Sequence, residues 1–352
     1  MKIVGRLVSL LIVLLLGVIS NSQAKNLQDV SIGITPAMST AGLFIAYEKG
    51  YFEEQGINLV MKQIPRAGAQ MIPFLATGQL MVGCGNLNAG LYNAIANDIP
   101  LKVVADKGTV TPGHGYLALL VRKAYVDSGR YKDLKDLKGM TIALTARGVS
   151  QEIVVEKYLL KAGLTLDDVK FVNLSWADMN VALSNGAIDA TIQVEPLVAR
   201  AVEKGIAVRV MGDDEVYPNQ QSAVIMYSPV FIEKHPDLAK AFMVAYVKGM
   251  RDYNDAFENN KNKDDVIKIL MKHTKVKDRE TYDKVATVGL HHDAMLNVAT
   301  MKQDAQWLHE KGYVKQQPDV DNIADLSYVK YAIEKLGPYE LSQTADRRAG
   351  GL

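Results

Sequence analysis

Four short stretches carry polar side chains at points where a strand gives way to a helix. In "MVGCGNLN" (residues 81–88), Gly83 and Gly85 let a backbone come close to a ligand, while Asn86 and Asn88 offer both donors and acceptors. "TPAMSTAG" (35–42) sets Met38, Ser39 and Thr40 at a similar junction, where a hydroxyl either contacts a ligand or caps the helix. "ARGVSQ" (146–151) repeats the arrangement with Arg147, Ser150 and Gln151. A guanidinium there can hold carboxylate or sulfonate oxygens through two bonds. "QVEP" (193–196) adds Gln193 and Glu195, the latter suited to bracing its Glu-Pro turn or pairing with a cation. Trp176 follows a strand and can stack on a ring or pack into the core, and "TPGHGY" (111–116) contributes His114 and Tyr116.

This is the chemistry of binding. No His-Glu-x-x-His, Cys-x-x-Cys, Gly-x-Ser-x-Gly or Walker pattern occurs in the sequence. His291-His292-Asp293 is the one run that could ligate a metal, and side chains of adjacent histidines diverge. No cofactor, metal or catalytic role is expected. The charge of the solute stays open: Arg147 favours a small organic anion, whereas Asn86 and Asn88 suit a neutral pyrimidine-like ring equally well.

The elements that must position these residues alternate regularly. Strand patterns at 30–35, 57–64, 80–85, 101–105 and 116–122 are separated by helical patterns at 41–52, 69–77 and 87–97. Single helices between strands imply right-handed crossovers and a mostly parallel sheet. From Met140 the plan repeats: Thr145 lies 110 residues after Thr35, Gly163 lies 107 after Gly56, Gly186 lies 108 after Gly78, and Val210 lies 107 after Val103. Such steady offsets indicate two similar α/β lobes. From about Pro229 the pattern turns helical as far as Leu336, so these helices should pack on the first lobe. Lobe 1 is then residues 25–118 and 219–352, lobe 2 is residues 119–218, and the chain crosses between them twice. In such sheets ligands bind beyond the carboxyl ends of strands, against helix amino termini whose first N–H groups lack partners.

The first 24 residues read as a leader. Lys2 and Arg6 precede an apolar run from Leu7 to Ile19, and Ser22-Gln23-Ala24 ends in a cleavage site. Lys25 stands where a lipoprotein would need cysteine, so a soluble periplasmic protein is expected. Removing Lys2 and Arg6 leaves 38 basic residues (40 minus 2) against 39 acidic ones, a net charge near −1. That balance argues against nucleic acid or a membrane surface as partner. A single cysteine, Cys84, forms no internal disulfide, so stability must come from core burial. "QTADRRAGGL" at the end reads as a loose tail.

"AYEKGYFEEQGINLVM", "ATGQLMVGCGN" and "IDATIQVEPLVARA" resemble the bacterial solute-binding proteins for nitrate, sulfonates, taurine and thiamine-pyrimidine precursors. The resemblance covers roughly residues 30–250. It implies a two-lobed, type II-like periplasmic binding protein, a monomer that closes on a small solute and delivers it to an ABC permease. Val194 departs from the family pattern, which often has an aromatic residue before the Glu-Pro pair. Two further readings stay open: an enzyme of thiamine-pyrimidine synthesis, whose relatives use a cysteine-rich iron motif that one cysteine cannot supply, and a sensor subunit that reports occupancy to a membrane receptor.

Overall fold

The computed structural model describes residues 26–64 and 68–340. The expected leader with its cleavage point at Ala24, and the final twelve residues, lie outside them. Along the chain run β1 (Gln28–Ile34), β2 (Ile57–Gln63), β3 (Val82–Asn86), β4 (Lys102–Thr109), β5 (Leu117–Arg122), β6 (Thr141–Leu144), β7 (Lys170–Asn173), β8 (Ala190–Val194), β9 (Ala207–Gly212) and β10 (Gln221–Tyr227). They form two five-stranded sheets, β2-β1-β3-β10-β4 and β7-β6-β8-β5-β9. The central strands β3, β8 and β10 are buried at every residue. β1 instead starts exposed at Gln28 and Asp29, then buries Val30, Ile32 and Ile34.

The two orders match when β1, β2, β3, β4 and β10 are set against β6, β7, β8, β9 and β5. This is the repeat read from the sequence, now seen as topology. The sheets are mixed, however, where mostly parallel sheets were expected. β10 runs antiparallel between β3 and β4, and β5 runs antiparallel between β8 and β9. Each of these strands enters its sheet straight from the other lobe, and that crossing reverses its direction. The two crossing segments bond to each other: Val110 N–H donates to the Gln220 carbonyl at 2.9 Å, and Asn219 N–H to the Val110 carbonyl at 2.5 Å.

Two local expectations also change. The single helix expected over 41–52 is broken into Ala41–Glu48 and Tyr51–Glu54 by Gly50, whose φ of +74° is left-handed. The helical pattern expected to run to Leu336 is interrupted between Asp283 and Val298, where loops cover the edge of the lobes.

The helix Pro236–Glu258 holds the first lobe together. Leu238, Phe242, Tyr246, Met250 and Tyr253 recur on one buried stripe, and the helix packs on Ala41–Glu48 and Ser327–Leu336. Its crossing with Ala41–Glu48 is made at glycines. A Cβ on Gly249 would collide with the Gly42 carbonyl oxygen and sit 2.9 Å from Ala46 N. Because backbone stands in the way, Gly249→Ala is expected to cost about 1–3 kcal/mol by overpacking. Urea denaturation followed by circular dichroism checks this, and an unchanged midpoint would show that the helices can part.

Candidate functional site

The carboxyl ends of β1, β3 and β4 face those of β6, β8 and β9, and the loops beyond them meet. The backbone makes the first contacts. Met38 N–H donates to the Glu195 carbonyl at 3.0 Å, Ala89 N–H to the Gly148 carbonyl at 2.8 Å, and Ser150 N–H to the Leu87 carbonyl at 3.2 Å. Asn88 and Val149 form an isolated antiparallel bridge across the same line. The lobes are therefore closed on each other, and Met38, Ser39, Thr40, Asn86, Asn88, Ser150 and Glu195 are all buried there.

Side chains add to the seam. Asn86 Nδ2 donates to Ser150 Oγ at 3.3 Å, and Ser150 Oγ donates to the Ser222 carbonyl at 3.1 Å. Asn88 performs the capping role: its Oδ1 accepts from Leu91 N–H at 3.1 Å at the head of helix Ala89–Ala96, and its Nδ2 donates to the Asn86 carbonyl at 2.9 Å. Thr40 Oγ1 donates to the Thr35 carbonyl at 2.6 Å, which ties the first loop to the end of its strand. Ser39 Oγ accepts from Lys107 Nζ at 2.9 Å.

Other candidates serve lobe 2 itself. Gln151 Oε1 accepts from Thr145 N–H at 2.9 Å while its Nε2 donates to the Ile192 carbonyl at 2.6 Å. Gln193 Nε2 donates to the Trp176 carbonyl at 3.0 Å, and Trp176 is buried at the start of its helix. Arg147 pairs with Glu152 at 2.6 Å and lies over the Phe171 ring, its guanidinium 4.4 Å from the centroid. Glu152 is fully buried and also accepts from Gly148 N–H at 2.7 Å and Tyr313 OH at 2.9 Å. His114 turns to the helical region, its Nδ1 2.8 Å from Thr287 Oγ1.

A second seam lies outside the first. Helix Val298–Glu310 of the first lobe rests on helix Ser150–Lys161 of the second. Trp307 Nε1 donates to Glu156, Lys311 pairs with Glu156 at 2.5 Å, and Tyr217 OH donates to the buried Asp304 at 2.8 Å. The C-terminal helices thus reach across to lobe 2, where they were expected on lobe 1 alone. An open recess at the crossing segments is lined by Gly113, Gly115, Glu195, Arg209, Asp214 and Ala286.

Sequence reasoning passed over Lys107, Glu152 and Ser222. Lys107 had a signal: "VVADKGT" ends a buried apolar strand on two opposite charges, which the expected end of the strand at Ala105 left out. His291 and His292 were expected to diverge, but they lie in a turn outside any helix or strand and stack with centroids 4.5 Å apart, while Asp293 pairs with Arg251 at 2.7 Å. Among the described residues no group of three or more metal-ligating side chains gathers, and no helix is long and apolar enough to cross a membrane.

A family model described as NMT1/THI5 like matches residues 37–259. The chain belongs to the NMT1/THI5-like family. This NMT1/THI5-like chain also shares its fold with solved structures. The periplasmic nitrate-binding protein NrtA from Synechocystis PCC 6803 is similar over 88% of this chain and 89% of its own, at 16% identity and a TM-score of 0.75. The ligand binding component of an ABC-type import system from Staphylococcus aureus gives 87%, 99%, 16% and 0.72 in the same order. The alkanesulfonate-binding protein SsuA from Xanthomonas axonopodis pv. citri, bound to MOPS, gives 85%, 98%, 18% and 0.68. Among curated proteins, the nitrate import ATP-binding protein NrtC of Synechococcus elongatus is 23% identical over 264 residues. That match takes in 70% of this chain and 38% of NrtC, so the NMT1/THI5-like chain spans well under half the length of that relative.

Glu195 gives the seam a pH response. Burial pushes its carboxyl up from 4.5 to about 7, against the N–H groups of Ala199 at 3.1 Å and Ala286 at 3.0 Å, which favour the ionised form. Between those values the folded protein keeps a proton that the unfolded chain has released. The associated stability is complete below about pH 4.5 and is lost as pH rises through about 7. Relative to Glu195→Gln, which stays neutral, the wild type should lose up to about 3 kcal/mol over that window. Urea denaturation of both proteins at each pH checks it; a constant difference would place Glu195 in an ordinary solvated state.

Proposed function

We propose that this protein is the extracytoplasmic solute-binding subunit of an ABC importer, which captures a small organic anion, a sulfonate or carboxylate, between its lobes and delivers it to a permease. One observation carries the reading: two sheets of matching topology turn their strand carboxyl ends toward each other, and the loops beyond them, 36–40, 86–89, 146–151 and 194–196, bond directly across the seam. Loops that bond to each other can equally hold a solute between them when the lobes part and close again. Met38, Ser39, Asn86, Ser150 and Glu195 are the proposed contacts, and lobe 1 (25–118 and 219–352) rotates against lobe 2 (119–218) about the paired crossing segments.

The anion is supported over a neutral ring by two features. Helices start at the seam after β1, β3 and β6, and their amino ends favour negative charge. The Asn88 amide, the best candidate for reading a ring edge, is already engaged by its cap and by Asn86. Relatives named for nitrate import and alkanesulfonate binding point the same way. Arg147 lies beside the seam and serves the anion only if it leaves Glu152.

The test is a thermal-shift screen of the mature protein against sulfonates, carboxylates, nitrate and pyrimidines. A ligand at 100 times its Kd is expected to stabilise by about 2.7 kcal/mol. Stabilisation by pyrimidines alone would replace the anion with a neutral solute, and a pull-down on the permease separates an importer subunit from a receptor partner. Export is checked independently: N-terminal sequencing of periplasmic material should begin at Lys25, and Met1 would exclude cleavage after Ala24.

A further inference from the structure

Lys107 is an unusual residue to find inside a lobe. It stands two places before the end of β4 and is 1% exposed, although lysine side chains almost always keep their ammonium in water. Its Nζ has one hydrogen-bond partner among the described residues, Ser39 Oγ at 2.9 Å, for three donors. No carboxylate among the described residues lies within 4.0 Å of it; the neighbouring Asp106 is turned elsewhere. That carboxylate accepts from Gly108 N–H at 2.8 Å, Thr109 Oγ1 at 3.0 Å, Gln221 Nε2 at 2.7 Å and His291 N–H at 2.8 Å.

The ammonium is also set against positive charge. Ser39 belongs to the loop that opens helix Ala41–Glu48, and neither this helix nor the short 3₁₀ turn Met38–Thr40 before it carries an acidic residue in its first turn. A cation at a helix amino end is disfavoured by the dipole that attracts anions there. Thr35, which directly precedes the same loop, buries a hydroxyl with no hydrogen-bond partner. A buried amine with two idle donors beside a helix amino end makes a set that an anion completes.

We propose that Lys107 is the charge that selects the solute: together with Ser39 and the amino end of helix Ala41–Glu48, it holds the oxyanion headgroup of a sulfonate or carboxylate. This rests on the interlobe capture proposed above and names the residue that supplies the anion's counter-charge. It also couples binding to the protonation of Lys107. Burial lowers the pKa of Lys107. The titratable groups acting on it are Cys84 from β3, whose thiol burial pushes up, and Asp106 from β4. An anion beside the amine raises its pKa again, so at pH near the pKa of the unliganded protein the complex takes up a proton, and affinity falls as pH rises through that pKa.

The experiment is calorimetry of the full mature protein with ethanesulfonate, benzoate and nitrate as probes, and uracil as the uncharged comparison. Wild type, Lys107→Met and Ser39→Ala are compared, each in two buffers of different ionisation enthalpy. Lys107→Met is expected to keep or raise the melting temperature, since it replaces a buried charge by an apolar chain of similar length. It is expected to weaken the best-bound anion by roughly tenfold to a hundredfold and to abolish proton uptake. Ser39→Ala, which leaves the ammonium in place, should weaken binding less and retain uptake. Equal anion affinity in wild type and Lys107→Met would overturn the role of Lys107 while leaving interlobe capture standing. Binding of uracil alone, or of none of the probes at millimolar concentration, would overturn both the anion and its anchor.

Discussion

Everything at the seam depends on a backbone constraint: β10 must hydrogen-bond antiparallel between β3 and β4, and β5 between β8 and β9. A strand inserted into the sheet of the lobe it has just entered forces the chain to cross twice, and the crossings lie side by side. Both sheets then present strand carboxyl ends to the same line. Helices start beyond those ends, so unpaired N–H groups and short polar side chains gather there without any one residue having to be aimed. The proposed hinge and the candidate site have one cause.

The sequence made the lobes legible because they are repeated. The offsets linking Thr35 to Thr145 and Gly78 to Gly186 carry over into sheets of the same order, and the alternation of apolar positions located nearly every strand. Direction was not legible. Apolar alternation in "LALLVR" or "QSAVIMY" says that a strand is buried and says nothing about which neighbours it runs against. The end of β4 was missed for a physical reason: Asp106 and Lys107 read as the start of a loop, while tertiary packing buries both. Charge inside a strand is a signal that propensity discards.

The candidate site was legible as a place more than as a set of roles. Asn86, Asn88, Ser39, Ser150 and Glu195 do meet, because strand-to-helix junctions are recognisable by their small and polar residues. Which atom does what could not be read, since roles depend on partners far along the chain. Arg147 looked available until Glu152, five residues on and fully buried, was seen to hold it. Asn88 suits a ligand or a cap, and Leu91 N–H decides for the cap. Glu195 finds its second donor at Ala286, ninety-one residues away.

The outer seam carries one more consequence. Helix Val298–Glu310 is anchored in one lobe and meets the other where Gln303 and Asp304 bond Tyr217 and Trp307 bonds Glu156. In the proposed opening of the lobes these contacts must break together, and the outer faces of the two helices cease to be a single rigid surface. Shape on the exterior thereby encodes what happens in the interior. Any macromolecule that rests a foot on each side of this line can tell a shut protein from an open one by distance alone, without ever touching the inner seam.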